Sequence, residues 1–302
     1  MDSAQIYNQV HEHYSAASKG TTAQYSEAIA KSFGYSPEEL ANIPEGANLG
    51  LSCGNPLAIT SLRPGETVID LGSGAGFDVF LASSRIGPTG RAIGVDMNDD
   101  MLARANKIKE SKGADADNVT FVKGVITDIP LDDGIADCII SNCVINLVPA
   151  ADKHLVFNEM HRLLKSGGRV AVSDILAKKE LPPKLKNDLA LYVGCIAGAA
   201  QVFEYEQWLK EAGFDEVLIA DTKADLNVYL EISEDGTKKK SQCCDDTPKC
   251  CVPSAAADEK KCGCVGSTTP GPCCSSTTTT TDISVEDLNE WVGSYKIYAV
   301  KK

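Results

Sequence analysis

The residues best suited to chemistry in this chain are its thiols, twelve cysteines in 302 residues. Eight crowd into one late stretch as the pairs Cys243/Cys244, Cys250/Cys251, Cys262/Cys264 and Cys273/Cys274. The other four, Cys53, Cys138, Cys143 and Cys195, are spread through a region that reads as ordered α/β structure. Deprotonated sulfur is both a nucleophile and a ligand for soft centres. The same region carries the glycine-rich string VIDLGSGAGFD at 68–78, a loop type whose bare backbone can approach a nucleotide. A nucleotide cofactor beside convergent thiols suits chemistry on a soft, thiol-seeking substrate.

Those residues need a frame. Residues 3–18 read as a short polar helix. Ser36-Pro37-Glu38-Glu39 starts another, with a serine cap, proline in the first turn and glutamate closing the box. Residues 44–56 are loop. Strand, helix and strand then alternate: strands at Thr67–Leu71, Arg91–Val95, Val119–Val122, Ile135–Ser141 and Arg169–Ser173, and helices at Phe77–Arg85, Met101–Ser111 and Ala151–Leu164. Ser166-Gly167-Gly168 is expected to stop the last helix. The pattern predicts a Rossmann-like, mostly parallel seven-stranded sheet with helices on both faces. Later elements are a small-residue helix over Leu185–Ala200, a helix over Tyr205–Ala212, a strand over Glu216–Ala220, a helix over Ser284–Trp291 and a strand over Tyr295–Val300. Residues 236–282, rich in Lys, Cys, Pro, Ser and Thr, cannot bury enough apolar surface to fold alone. They read as a flexible insert between the last two strands, because so late a strand needs a sheet to join. The expected organisation is an N-terminal helical and substrate-loop region (1–60), a nucleotide-binding core (61–175), and site helices with the end of the sheet (176–302).

A net charge of −13 opposes binding to nucleic acid or anionic membrane. No basic stretch followed by an apolar run opens the chain, and no window reaches 18 apolar residues, so neither a signal peptide nor a membrane span is expected. The expected compartment is the cytoplasm. There thiols stay reduced, so the cysteines read as ligands, nucleophiles or redox partners rather than a disulfide frame.

Gly72, Gly74 and Gly76 stand at a strand end and open a helix, and Asp96 ends the next strand, placed for ribose hydroxyls. A dinucleotide fingerprint would put its third glycine where Phe77 stands. The strings VIDLGSGAG and Asp96 resemble the class I S-adenosylmethionine-dependent methyltransferases. That resemblance implies cofactor contacts from Asp70, Gly72, Gly74, Gly76, Asp96, Met97, Ile126 and Asn142. Adenine would pack near Met97 and the loop 124–128, and a final antiparallel hairpin would close the sheet.

Cys143 follows the fourth strand, at the same sheet edge as the glycine loop, where parallel sheets bind ligands. Cys138 lies inside that strand and reads as a small buried hydrophobe. Core packing explains Cys53 or Cys195 equally well when each is taken singly. Together, IPEGANLGLSCGNP, SNCVINLVP, YVGCIAGA and the closing SYKIYAVKK resemble arsenite S-adenosylmethionine methyltransferases. By those motifs Cys53, Cys143 and Cys195 fall on the family's arsenic-binding cysteines. A further cysteine that many members carry before the SCGNP-type loop is missing here. The resemblance implies S-adenosylmethionine as cofactor and arsenite and methylated arsenicals as substrates. It implies mono- and dimethyl products, with a trimethyl product left open, and a reductant of glutathione or thioredoxin type. Zinc fits poorly, because it prefers four ligands and the core offers three thiols, with His11, His13, His154 and His161 outside ligand spacing. Two other readings stay open: a methyltransferase acting on a small organic acceptor, and a soft-metal sequestering protein that uses the late cysteine pairs.

Overall fold

A computed structural model describes residues 3–186, 195–231 and 287–302. Seven strands form one sheet in the order β3-β2-β1-β4-β5-β7-β6: β1 Thr67–Leu71, β2 Arg91–Asp96, β3 Val119–Lys123, β4 Ala136–Asn142, β5 Leu164–Ala177, β6 Glu216–Asp221 and β7 Val292–Val300. The first five strands pair in parallel, and β7 lies antiparallel between β5 and β6. The sheet is therefore mixed, as the expected late hairpin requires. Strand residues alternate between two cores. Val68, Cys138 and Ile140 face the helices α4 (Phe77–Ile86) and α5 (Asp99–Lys112), while Ile69, Leu71 and Ile139 face α6 (Lys153–Leu163) and the later helix Val202–Glu211. Burying one such side chain contributes about 1.5–3 kcal/mol, so a central strand apolar on both faces holds its register firmly.

The N-terminal helices α1 (Ser3–Ala17), α2 (Ala23–Ser32) and α3 (Pro37–Asn42) sit against this body. α2 had no counterpart in the sequence reading; Thr22 caps it by accepting from Tyr25 N at 3.3 Å. The capping box of α3 forms as expected, with Ser36 and Glu39 exchanging hydrogen bonds. Two side chains of α5's first turns clasp α1. Asn98 donates to His11 O and Ser15 Oγ, both at 3.0 Å, and Arg104 donates to Ser18 O at 2.6 Å and Gly46 O at 2.8 Å.

Three elements differ from expectation. Ser166-Gly167-Gly168 lies within β5 rather than in a helix-stopping loop: a bulge between Ala136 and Cys138 shifts the β4–β5 register, and Gly167 N and Gly168 O bond Lys301 of the chain end. Of the helix expected over 185–200, Pro183–Lys186 is the short helix α7 and residues 195–200 are turns, because Cys195 takes a left-handed φ that no helix accommodates. Residues 187–194 lie outside the described residues. The helix expected over 284–291 is a 3-10 turn at Leu288–Glu290, and β7 starts three residues early. The insert 236–282 lies outside the described residues.

Candidate active site

The strand order reverses between β1 and β4, the point where an open α/β sheet leaves a crevice at its carboxyl edge. Gly72 leaves β1 there and Cys143 leaves β4. They are neighbours by necessity: a Cβ on Gly72, whose φ is +70°, would lie 2.3 Å from Val144 Cγ2. A cleft opens beside them. Asp70, Gly72, Gly74, Asp96, Met97, Ile126, Asn142 and Cys143 all line it. Gly76 does not. It turns the chain into α4 at φ +90°, where a Cβ would strike Phe121 and Phe80 at 2.7 and 2.8 Å. From the expected adenine loop, Gly124, Val125 and Ile126 reach the cleft.

The carboxylates of the cleft are held tightly. Gly74 N donates to one oxygen of Asp96 and Asn98 N to the other, each at 2.8 Å. Burial raises the Asp96 carboxyl against these bonds. Asp70 is raised well above the usual carboxylate range, first by burial and then by Asp78 and Asp96. Asp78, on the first turn of α4, is pushed up to about 6 by burial while Asn142 and Tyr35 pull it down.

Asn142 does more than line the cleft. Its Nδ2 donates to Tyr35 Oη (2.9 Å), Gly54 O (2.9 Å) and Asp78 Oδ2 (3.0 Å), and its Oδ1 accepts from Cys53 N at 3.2 Å. Tyr35 closes the network on Asp78 Oδ1 at 2.7 Å. The 50–56 loop, which has no ladder of its own, is thus tied to the end of β4. Ser294 of β7 adds a bond to Cys53 O at 2.7 Å.

The effect is to bring the three cysteines together. The sulfurs of Cys53, Cys143 and Cys195 all lie within 4.8 Å of one another, and all three residues are buried. Cys53 and Cys143, with Cα atoms 5.7 Å apart, are joined as a disulfide. The sequence reading expected free thiols at both positions. The two loop ends meet at the Cα spacing a disulfide needs, and the same spacing lets two reduced thiolates share one soft ion. Cys195 is free, and its Sγ donates to Cys143 O at 2.8 Å. Burial, then Asp174, pushes its thiol up, while Lys153 and a hydrogen bond from Tyr14 oppose the shift. Cys143 and Cys195 also carry two of the four positive φ values at non-glycine residues among the described residues, 60° and 65°. Such backbone persists only where its surroundings over-determine it. Cys138 stays apart: it is buried in β4, with its thiol pushed up to about 12 by burial.

Several site residues escaped the sequence reading. Tyr7, Val10 and Tyr14 of α1 form a wall of the cleft, yet α1 reads as polar because only Val10 is buried outright. Asp78 reads as an ordinary acid at a helix start. Behind Cys195 lies a buried polar group of Asn146, Lys153, Asp174 and Tyr205. Lys153 Nζ donates to Ile145 O at 2.7 Å, and burial drops its ammonium to about 8.

A family model described as a methyltransferase domain matches residues 62–213. The arsenite methyltransferase of Halobacterium salinarum is 46% identical over 187 residues, 62% of this chain and 47% of that protein. That of Aquipseudomonas alcaligenes is 39% identical over 184 residues, 59% of this chain and 52% of that protein. The chain thus spans about half the length of the curated relatives it matches. Among solved structures, CrArsM, an arsenic(III) S-adenosylmethionine methyltransferase from Chlamydomonas reinhardtii, aligns with a TM-score of 0.54 at 22% identity over 91% of this chain and 73% of that one. At that identity the likeness bears on the fold alone.

Proposed function

The chain belongs to the methyltransferase-domain family, and from that premise we propose that it methylates trivalent arsenic held by Cys53, Cys143 and Cys195, with S-adenosylmethionine as methyl donor. The observation that carries the reading is the convergence of three buried sulfurs within 4.8 Å of one another, with Cys143 among them lining the cleft. Trivalent arsenic is thiophilic and pyramidal, with three ligand positions and a lone pair. Soft thiolates select it over hard ions. The names of the relatives at 46% and 39% identity support the same substrate.

The residues of the cleft fit the donor. Asp96, fixed by two backbone N–H groups, keeps its remaining lone pairs for ribose hydroxyls, and Met97, Met101 and Ile126 offer an apolar wall for adenine. Asp70, Gly72, Gly74 and Asn142 face the methionine end. Gly76 serves the loop indirectly, through the turn into α4. When bound, the donor supplies a sulfonium methyl already activated for transfer, so the protein has no need of a strong base. The chain's own task is alignment. Asn142 fixes Cys53, Val144 sets Cys143 against the glycine loop, and positioning of this kind contributes several kcal/mol to a transfer. Ligation requires all three cysteines as thiolates, which motivates a thiol reductant of glutathione or thioredoxin type and a cytoplasmic location. Regions 1–60 and 176–302 would then carry the substrate side and 61–175 the donor side. Incubation with arsenite, glutathione and labelled S-adenosylmethionine, followed by chromatography of the arsenic species, tests the reading. Labelled methylarsenicals are expected. Their absence from the reduced chain at saturating arsenite would overturn it.

A further inference from the structure

Cys195 has the weakest local support of the three cysteines. Cys143 directly follows β4 and Cys53 is tied to Asn142, whereas Cys195 sits in turns, away in sequence from any strand end. What holds it comes from behind. Asn146 Nδ2 lies 3.2 Å from Cys195 O, 2.5 Å from Ile175 O and 2.9 Å from Asp174 Oδ1. Asp174 in turn accepts from Tyr205 Oη at 2.8 Å and from its neighbour Ile175 N at 2.9 Å. All of these residues are buried, and Asn146 Oδ1 has no hydrogen-bond partner among the described residues.

Burying an amide, a carboxyl and a phenol together is costly unless they are mutually hydrogen-bonded, and an amide oxygen without a partner adds to that cost. The fold does not need them here. β5 and the helix Val202–Glu211 already pack through apolar side chains such as Val172, Leu176 and Leu209. We propose that Tyr205, Asp174 and Asn146 form a positioning relay that holds the Cys195 backbone in its left-handed conformation, so that its sulfur completes a three-sulfur site with Cys53 and Cys143. The inference rests on the arsenic reading above. Asn146 is a positioning residue: it grips the Cys195 carbonyl, and the sulfur alone meets the substrate. Two amide hydrogens serving three acceptors let Asn146 link β5 and the Cys195 turn at once.

The test uses the full chain with serine at Cys243, Cys244, Cys250, Cys251, Cys262, Cys264, Cys273 and Cys274, reduced and loaded with one equivalent of arsenite. X-ray absorption at the arsenic edge then counts sulfur neighbours. Three are expected in this background. Asn146→Ala should leave two sulfurs and an oxygen, with arsenite turnover down about 10- to 100-fold and affinity for S-adenosylhomocysteine unchanged. Asp174→Asn keeps an acceptor oxygen for Asn146 and should retain three sulfurs, whereas Asp174→Ala should not. Tyr205→Phe removes one hydroxyl from a filled core. It carries the test if Asn146→Ala fails to fold, and should show a mixture of two- and three-sulfur sites. Three sulfurs throughout Asn146→Ala, or in Tyr205→Phe where that variant decides, would overturn the relay. Fewer than three in the background itself would instead overturn the arsenic reading.

Discussion

At the residue scale, the site separates thiols by what surrounds them. Cys138 is packed between Val68 and Ile140 with its thiol pushed up to about 12, an inert filler. Cys138→Ala should therefore keep full turnover and lose about 1 kcal/mol of stability to a small cavity, read from urea midpoints. Cys143→Ser and Cys195→Ser should abolish every methyl transfer. Cys53→Ser should hit arsenite hardest and spare methylarsenite, since only arsenite occupies three sulfur positions. Equal loss on both substrates would refute that division. Asp96 tests the donor side. With both oxygens already on Gly74 N and Asn98 N, removing the carboxylate loosens the glycine loop as well as the ribose contact. Asp96→Ala should weaken donor binding by about 1.5–3 kcal/mol, visible by calorimetry, while arsenite binding survives.

At the element scale, the parallel core was legible because its signals are local. A run such as CII at 138–140 with fully buried residues on both faces can only be a central strand, and Gly72 and Gly74 can only be a turn. The expected strands β1 to β4 start or end within one residue of those observed. The resemblance located the three cysteines, but their closeness comes from contacts 52 and 89 residues apart, Cys195 to Cys143 and Cys53 to Asn142, which no periodicity encodes. The same holds for Asp78. Its place in α4 is written in the helix start, but its burial opposite β4, between Tyr35 and Asn142, is not. That burial has a pH signature. Burial raises its carboxyl to about 6 and Glu39 adds to the rise, against the hydrogen bonds from Asn142 and Tyr35 and the charge of Arg85; Asp70 is the other buried carboxyl beside it. Between the ordinary value of 3.8 and about 6 the folded chain binds more protons than the unfolded chain. The stability this group contributes is therefore full below that window and is lost as pH rises through it. The stability difference between wild type and Asp78→Asn should shrink by up to about 3 kcal/mol from pH 4 to pH 7 in urea titrations. A pH-independent difference would contradict the buried placement.

At the scale of the whole molecule, the question is what the long late segment does for the sheet. β7 stands between β5 and β6, paired from Arg169 to Ala177 on one side and from Glu216 to Asp221 on the other. It also supplies Ser294, which holds Cys53 O. The ends of the excursion that precedes it are fastened to each other. Leu288 N bonds Asn227 Oδ1 at 3.0 Å, Asn227 Nδ2 bonds Asp287 Oδ1 at 2.9 Å, and Leu226 N bonds Asn289 Oδ1 at 2.9 Å. Closing a loop between adjacent ends costs little, and shortening it costs less, because closure entropy grows only with the logarithm of length. Residues 236–282 lie outside the described residues, but their few aliphatic side chains leave little to bury. Replacing them with a short glycine-serine linker should therefore give a folded enzyme with near-native kcat on arsenite. It should bind fewer arsenite equivalents per chain, and its KM should rise if the late cysteines concentrate substrate. Ending the chain at 236 should fail, since β6 would lose its only strand partner among the described residues and Cys53 its bond from Ser294. Circular dichroism, kcat, KM and bound arsenic per chain, measured on both forms, separate the outcomes. A linker form that is folded yet inactive at saturating arsenite would place some of Cys243 to Cys274 in the transfer path, and a truncated form that folds and turns over would show β7 to be dispensable.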